Sequence, residues 1–435
     1  MAVLAISAVT ASACGSPPAQ TRSAPHSPSA APPISVVRDA GTGQPVWDIA
    51  LAAPRRAVAA LSDGLDTSAN TGQSWTVSQP SSFLVPASLD LVSGQVVFAA
   101  EHGKVFRTVD GGRTWQSLRP PSARTYAVDF WTANAGVAMV PDRTGPSSGY
   151  FVTRDGARNW QRFRVPGWSL LGGGVPATPG GDLVQSSVCF APGGTGWAVA
   201  SRAGGVSVLV SPDGGRRWRV AIPARLLPRV SPALPATYPV AVAGCTGHAV
   251  WAVVTQWDQY GRMRAIDLLH TVNLGRSWLD VARSFFRFSG VHPLAVPAPP
   301  GGPMTLPTAL NHIAWLTAPG PSAAWLGLTD SQGLAEGYAA TGNGGLTWRL
   351  RSFPGSGVCP PPARPTTGLP AQHYLVALTA LSARVAWMVL AAKINAAPAY
   401  LYGTANGGAT WTAITRFGTS SQQRLPRTGT CSAGG

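Results

Sequence analysis

The sequence contains little charge, and most of that charge has one sign and one side-chain type. Only 11% of its 435 residues are charged, and 17 of them are acidic. Lys104 and Lys393 are its only lysines, so nearly all of the cationic charge is arginine. No run of five or six basic residues occurs, so we expect no nucleic-acid partner. The formal net charge of +16 implies a weak general attraction to anionic surfaces instead.

Long apolar segments and long proline-free segments are also missing. The 40 prolines are spread along the chain, and no stretch of about 18 apolar residues occurs, which excludes a helical bundle and a membrane-spanning helix. Disorder is excluded as well, because 45% of the residues are apolar and 16 are tryptophan. The composition therefore predicts an all-β, turn-rich fold.

The first residues have the layout of an export signal. Residues 3–9 are apolar, and the small residues Ala11, Ser12 and Ala13 lead directly into Cys14, although no basic residue precedes them. This arrangement resembles the bacterial lipobox and predicts a signal peptide over 1–13 with lipidation of Cys14. The alternative is ordinary cleavage after the Ala-Ser-Ala triplet, which releases the protein. Residues 14–44 are rich in Ser, Pro, Ala and Thr and predict an extended tether outside the cytoplasm.

Four cysteines remain once Cys14 is set aside, and they are Cys189, Cys245, Cys359 and Cys431. An even number in an exported chain, with no C-x-x-C spacing, favours disulfides over a metal site. Four cysteines allow three pairings, and four unpaired thiols are the alternative.

An eight-residue pattern, here called the octet, recurs seven times. It reads S/T-x-D/N-x-G-x-S/T-W and occupies residues 68–75, 108–115, 153–160, 211–218, 271–278, 341–348 and 404–411. Asp or Asn at the third position can accept hydrogen bonds from the turn backbone, and Gly at the fifth supplies a positive φ. The octet is therefore the tip of a hairpin, and its Trp begins the outgoing strand. Ala157 replaces the fifth-position Gly and Arg217 the seventh-position hydroxyl, which leaves the geometry of those two turns open.

Each octet follows three apolar strand patterns, so that one repeat is a four-stranded antiparallel meander. Successive octet tryptophans are 40, 45, 58, 60, 70 and 63 residues apart, and a four-stranded blade needs about 40 residues. We therefore predict a seven-bladed β-propeller over 45–418 with a tail at 419–435. An eighth blade would have to lie within residues 279–340, where residues 293–307 contain too much Pro and Gly for paired strands.

The octet resembles the Asp-box, or bacterial neuraminidase, repeat, and the whole module is most similar to the photosystem II assembly-factor type of propeller. Sortilin-type receptors, sialidases and xyloglucanases share the motif. This resemblance implies the fold and leaves the function open, because enzymes and binding proteins both carry the repeat. The repeat order also favours the pairings Cys189–Cys245, on adjacent blades, and Cys359–Cys431, which flank the last blade.

The connections of variable length are predicted to lie on one face of the disc. In such a meander, the turns between strands one and two and the octets share one side, here called the octet face. The other side, the loop face, carries the turns between strands two and three and the links between blades. The longest connections there are predicted at 141–149, 221–238, 255–264, 282–308, 352–372 and 392–399. Such loops either bind a ligand or are proline-rich spacers.

Two tryptophans do not belong to the repeat. Fourteen of the 16 fall in octets or in the first or second strands, which leaves Trp168 and Trp257 in predicted loops of the loop face. Their predicted neighbours on that face are Tyr260, Arg262, Arg264, Phe285, Phe286 and His292. Exposed aromatic rings beside arginine can stack on sugars or hold a protein partner. Alternatively, each ring packs its own loop onto the disc.

A glycoside hydrolase is the alternative function, and it requires two facing carboxylates. Asp48, Asp90 and Asp129 occupy equivalent places in the first strands of blades one to three, which line the channel. An Asp at this place also fits the repeat consensus, which favours a structural role. The seven histidines show no metal-ligand spacing, and we predict no metal and no cofactor. The sequence thus favours a monomeric, non-enzymatic protein that binds a protein or a cell-wall glycan.

Overall fold

Short β-strands and tight turns account for all of the chain that the computed structural model describes. The described residues are 46–52, 55–61, 64–80, 88–101, 103–140, 149–170, 187–202, 205–223, 240–257, 263–280, 312–329, 334–353, 373–391 and 399–417. They form 29 strands and no helix, and so none of the described segments is a helix that could cross a membrane. The predicted signal peptide, tether and tail, with Cys14, Cys359 and Cys431, lie outside these residues.

The strands form seven antiparallel sheets, each built from consecutive strands in chain order. Blade one comprises β1 (Val46–Ala52), β2 (Arg56–Leu61), β3 (Gly64–Ser68) and β4 (Thr76–Pro80); blade two comprises β5 (Ser88–Leu91), β6 (Val97–Glu101), β7 (Lys104–Thr108) and β8 (Gln116–Leu118); blade three comprises β9 (Ala127–Phe130), β10 (Gly136–Val140), β11 (Gly149–Thr153) and β12 (Gln161–Phe163). Blade four comprises β13 (Ser169–Leu170), β14 (Val188–Phe190), β15 (Gly196–Arg202), β16 (Gly205–Ser211) and β17 (Arg219–Ile222).

The remaining three blades follow the same pattern. Blade five comprises β18 (Val240–Ala243), β19 (Val250–Trp257), β20 (Met263–Thr271) and β21 (Leu279–Asp280); blade six comprises β22 (His312–Gly320), β23 (Ala323–Thr329), β24 (Ala335–Thr341) and β25 (Arg349–Ser352); blade seven comprises β26 (Tyr374–Ala380), β27 (Ala386–Ala391), β28 (Ala399–Thr404) and β29 (Thr412–Phe417). The seven-bladed, all-β propeller predicted from the octets is confirmed.

Blade four has an inner strand in two pieces, which the sequence did not predict. Both β13 and β14 pair with the same edge of β15, Leu170 opposite Ala200 and Val188 opposite Ala198. The chain therefore leaves the innermost strand after Leu170 and rejoins it at Val188. Ser169 pairs with Ser201, near the end of β15 from which the chain turns into β16. The departure point consequently lies at the loop-face end of the blade.

The apolar residues of the strands form seven core clusters, one at each interface between neighbouring blades. One cluster joins Ile49 and Leu51 of blade one to Val389, Leu401 and Phe417 of blade seven, so the ring is closed. Because none of the described strands pairs into the sheet of another blade, side-chain contacts make this closure. Each Val, Leu or Ile side chain buried there contributes about 1.5–3 kcal/mol.

The seven octets adopt the same turn. The first-position hydroxyl accepts a hydrogen bond from the fifth-position N–H at 2.9–3.1 Å. The third-position Asp or Asn accepts one from the seventh-position N–H at 2.9–3.0 Å. The two octets with substituted positions keep this geometry as well. Ala157 adopts a φ of 69°, and Arg217 Nε donates to Asp213 Oδ2 at 2.8 Å.

A positive φ also occurs at the fourth octet position, which the sequence analysis missed. In blades one and five this position holds Thr71 and Leu274, with φ values of 65° and 59°. Two successive left-handed residues turn the backbone so that its carbonyl groups face the preceding blade. Side chains of that blade donate to these carbonyls, for example Arg219 Nη2 to Leu274 O at 2.6 Å and Arg154 Nη2 to Gly214 O at 3.3 Å.

The same kind of polar contact recurs at other interfaces. Arg56 Nη1 donates to Asp110 O at 3.2 Å, His270 Nδ1 to Gly344 O at 3.0 Å, Tyr338 Oη to Gly408 O at 2.5 Å, and Thr415 Oγ1 to Gly72 O. Each of these bonds joins one blade to the octet of the next. The octets therefore connect neighbouring blades as well as closing their own hairpins.

A disulfide joins Cys189 in β14 to Cys245, which follows β18, with their Cα atoms 6.2 Å apart. It links blades four and five, as the repeat order led us to expect. The second pairing, Cys359–Cys431, stays a prediction.

Candidate functional site

The octets and the turns between strands one and two lie on the same side of the disc. In all seven blades the fourth-position N–H of the octet donates to a carbonyl of that turn, at 2.8–2.9 Å. Thr71 N bonds Arg55 O in blade one, and Gly407 N bonds Arg384 O in blade seven. The connections on the other side are therefore the turns between strands two and three and the links between blades.

Connection length varies far more on the loop face than on the octet face. Every octet turn leaves seven residues between its strands, such as 69–75 in blade one. On the loop face, the turn at 62–63 has two residues, whereas the link at 281–311 has thirty-one. The octet face thus presents octet turns of one length and first-to-second turns of two to six residues, whereas connections on the loop face reach thirty-one residues.

Trp168 is the predicted binding residue that the structure describes most fully. It ends a tight turn, with its N–H donating to Val165 O at 3.0 Å, and directly precedes β13 on the loop face. The ring is half-buried and packs against the core between blades three and four. The Arg202 guanidinium lies 5.9 Å from the ring centroid, which is a cation–π distance. Trp168 thus anchors its turn and also lies beside a cation that the sequence analysis missed.

Two predicted loop residues belong to strands instead. Trp257 is the last residue of β19 and pairs with Met263, and Arg264 lies within β20. The predicted connection at 255–264 is therefore wrong in extent, because this hairpin continues its ladder to Trp257. It is the longest pairing of second and third strands among the described blades, and it extends blade five at the loop face. Tyr260, Arg262, Phe285, Phe286 and His292 lie outside the described residues.

Asp48, Asp90 and Asp129 lie on β1, β5 and β9, the first strands of three adjacent blades. First strands contact one another around the ring, which places them nearest the central axis. Asp48 accepts hydrogen bonds from Ile49 N at 2.7 Å and from Leu89 N of blade two at 2.8 Å. Asp90 in turn accepts one from Phe130 N of blade three. Two of the three carboxyl groups therefore connect one blade to the next.

Asp129 differs from the other two because, among the described residues, no group donates a hydrogen bond to its carboxyl group. Burial raises the pKa of Asp129 to about 7. Burial also raises the pKa of Asp48 to about 7, against the opposing effect of its two backbone hydrogen bonds. The pKa of Asp90 lies well above its usual range because of burial and the neighbouring Asp129 and Asp48 carboxyl groups. A carboxyl group with a pKa near 7 can act as a general acid.

The described residues offer no metal-binding cluster, and the buried His270 has a structural role. Among the described residues, no group of three or more His, Cys, Asp or Glu side chains could hold a metal ion. His270 stacks on Trp251 with ring centroids 3.9 Å apart, and burial lowers its pKa to about 4. It is a neutral core residue that donates to the next octet.

Comparison with known proteins identifies the fold and no family. No protein-family model matches the sequence, and no curated protein matches it. Among solved structures, the GH74 xyloglucanase from Xanthomonas campestris is similar, at 15% identity and a TM-score of 0.52, over 87% of this chain and 55% of that one. YCF48 from Cyanidioschyzon merolae is similar at 14% identity and a TM-score of 0.43, over 84% and 94% of the two chains. The WD40 propeller domain of Doa1 matches at 9% identity and a TM-score of 0.41, over 80% and 90%. Propellers similar to this chain thus include an enzyme, and the likeness concerns the fold alone.

Proposed function

We propose that this protein is a non-enzymatic, extracytoplasmic propeller lipoprotein that binds a protein or a cell-envelope glycan through its loop face. The observation that carries the proposal is the confinement of the long connections to that face, while all seven octet turns keep one length and one hydrogen-bond pattern. Binding residues commonly lie on variable loops that a rigid scaffold holds in place. We also propose that the octet is an Asp-box repeat and that Cys14 is lipidated.

Trp168 and Arg202 are the described residues that suit such a site best. An aromatic ring half-buried in its own turn loses little conformational entropy on binding, and an adjacent guanidinium adds polar contacts to a sugar or a peptide. The inner strand of blade four is interrupted beside them, since Ser169 pairs with Ser201 next to Arg202. We therefore place the centre of the binding surface at the junction of blades three and four.

The test compares capture by the wild-type protein and by two variants. Wild type, Trp168→Phe and Arg202→Ala are immobilised and presented with envelope proteins and, separately, with purified wall polysaccharides. Arg113→Gln, on the octet face, is the matched control for loss of an exposed arginine. The proposal expects the same ligand to be retained by the control and lost or weakened about tenfold by Arg202→Ala, at unchanged melting temperature. A ligand lost equally from the control, or retained by both loop-face variants, would contradict it.

A secreted glycoside hydrolase of the sialidase or xyloglucanase kind is the second candidate. It is favoured by the raised pKa values of Asp48 and Asp129, which suit proton donation near neutral pH. The blade-to-blade hydrogen bonds of Asp48 and Asp90 favour the structural role instead, because these bonds occupy the carboxylate oxygens. Hydrolysis of any substrate in a broad glycoside panel, abolished by Asp129→Asn in a folded protein, would establish the hydrolase and overturn the binding proposal.

A further inference from the structure

The sixth octet position carries arginine in four consecutive blades. Arg113, Arg158, Arg216 and Arg276 occupy it in blades two to five, and all four are exposed. Unlike Arg154 and Arg219, which donate to the next octet, none of these four side chains has an ion-pair or hydrogen-bond partner among the described residues. They form an arc of unpaired cations along one face of the disc.

The carboxylates on this face do not neutralise the arc. The seven octets contain six arginines and three aspartates, because the third position holds Asn in four of them. Asp110, Asp155 and Asp213 are half-buried and accept hydrogen bonds within their own turns, which hold their pKa values below the usual range. Only Arg217 pairs with one of them, so the octet face keeps a positive charge over blades two to five.

Two exposed valine side chains lie on octet tips within the same arc, and three further exposed aliphatic side chains lie nearby or in blade six. The large hydrophobic residues exposed among those described are Val77, Val109, Val220, Val272 and Leu346. Val109 and Val272 occupy the second octet position, where each is 58% exposed, and Leu346 occupies a sixth position. Val77 and Val220 lie in the strands that leave octets one and four. The octet tips therefore combine free cations with free aliphatic groups.

A cleft between octets one and two adds a place for a single anionic group. It has a volume of about 180 Å³, and Arg56 and Arg113 line it together with the hydroxyl-bearing Ser74 and Thr76. Arg56 Nη1 already donates to Asp110 O, but a guanidinium has five N–H donors, and so others remain. Phosphate oxygens suit such a set of donors.

We propose that the octet face of blades one to five docks onto a membrane surface that contains anionic phospholipids. Arginines near such a surface are attracted by its negative potential, and exposed aliphatic side chains enter the boundary between headgroups and acyl chains. The seven tips share one backbone conformation on one face, which suits a planar surface. A soluble polyanion would satisfy the arginines but would offer nothing to Val109 and Val272, and therefore a lipid surface fits the whole pattern better.

Vesicle sedimentation tests this proposal. The full chain, in a Cys14→Ser background so that a lipid anchor contributes nothing, is mixed with vesicles of phosphatidylglycerol and phosphatidylcholine or of phosphatidylcholine alone. Wild type should sediment with the anionic vesicles only. The triple variant Arg113→Gln, Arg158→Gln, Arg216→Gln should bind these vesicles about a hundredfold more weakly, because each arginine near the surface strengthens binding about fivefold.

The matched control removes the same charge elsewhere. Arg119→Gln, Arg124→Gln and Arg164→Gln together remove three exposed arginines from the blade links of the loop face, and this variant should keep most of its binding. Equal weakening by both triple variants, or equal binding of wild type to neutral vesicles, would overturn the proposal. Val109→Ser with Val272→Ser should weaken binding to vesicles and leave binding to soluble polyphosphate unchanged. If these valines have no effect on vesicle binding and the arginines bind polyphosphate equally well, the surface recognises an anionic polymer and the lipid proposal is wrong.

Discussion

Replacing one octet glycine by alanine should show how tightly the octets connect neighbouring blades. Gly408, in the last octet, has a φ of 83° and accepts the Tyr338 hydroxyl of blade six at its carbonyl oxygen, 2.5 Å away. A methyl group at its Cα would overlap that hydroxyl and the ring behind it. Gly214 in the octet of blade four is the matched control, because it has a φ of 74° and no atom within 4 Å of the added methyl group.

The two substitutions share the backbone effect and differ in packing. Alanine at a positive φ strains the folded backbone by about 1–2 kcal/mol, and the lower entropy of the unfolded chain offsets about 0.4–1 kcal/mol of this. Gly214→Ala should therefore lower the free energy of unfolding by about 1 kcal/mol. Gly408→Ala adds overpacking of about 1–3 kcal/mol and the loss of a buried hydrogen bond worth about 1 kcal/mol. Tyr338 is 1% exposed and packs on Trp325, Phe353 and Trp411, and so it has little room to move. We expect a total of about 3–5 kcal/mol.

Urea unfolding of both variants measures this difference as a change in the free energy of unfolding. A double-mutant cycle sharpens it, because Tyr338→Phe should destabilise the wild type by about 1 kcal/mol and leave Gly408→Ala unchanged or more stable. Equal destabilisation by Gly214→Ala and Gly408→Ala would contradict this expectation, since it would mean that the Gly408 contact with Tyr338 of the preceding blade contributes nothing to stability.

Three further predictions concern the channel, the disulfide and the ring closure. Asp129→Asn should stabilise the protein at pH 8 by at most about 4 kcal/mol and have no such effect at pH 4. The reason is that the pKa of Asp129 is about 7 in the folded state, so between about pH 4 and 7 the folded protein keeps a proton that the unfolded chain has released. The wild type therefore loses stability as the pH rises from about 4 to about 7, and an effect of Asp129→Asn that is equal at the two pH values would contradict this. The double variant Cys189→Ser, Cys245→Ser should be less stable by about 4 kcal/mol, given the sequence separation of 56 residues. A reductant should lower the melting temperature of the wild type more than that of this variant. Phe417→Ala, at the contact between blades seven and one where its ring lies 5.3 Å from Trp75, should cost about 3–5 kcal/mol in thermal unfolding, and a loss below 1 kcal/mol would indicate that this contact does not close the ring.

The blade number and the faces of the disc could be predicted because the octet is a local structure. Its hydroxyl, its Asp or Asn and its left-handed residues form hydrogen bonds within eight residues, so the turn is specified before any long-range contact forms. Strand order then follows from short connections between antiparallel neighbours. The Cys189–Cys245 bond followed from the same repeat order.

Features that depend on long-range contacts were not predictable in the same way. The carbonyl groups that accept Arg154 and Arg219 are recognisable only once neighbouring blades are side by side. The interrupted inner strand of blade four reads as a link because two residues, Ser169 and Leu170, are too few to show a pattern. Trp257 and Arg264 fall outside the repeat pattern, which predicts a loop at 255–264, whereas the ladder of β19 and β20 extends to the pair Trp257 and Met263.

The arginine content has two separate physical explanations in this molecule. Arg56, Arg154 and Arg219 stabilise interfaces between blades by donating to octet carbonyls. Arg113, Arg158, Arg216 and Arg276 have no such partner and remain available at the octet face. Composition alone does not separate these groups, but the octet position of each residue does. A protein that binds a partner through one face and a membrane through the other would use both.

Hydrogen–deuterium exchange of the protein with its captured ligand tests most directly whether the loop face is the binding surface. We expect slower exchange in the link at 119–126, the turn at 164–168 and the end of the β19–β20 hairpin. No change is expected in the seven octets, whose fourth-, fifth- and seventh-position amides are already hydrogen-bonded. Protection confined to the octets, with unchanged exchange at the junction of blades three and four, would contradict it.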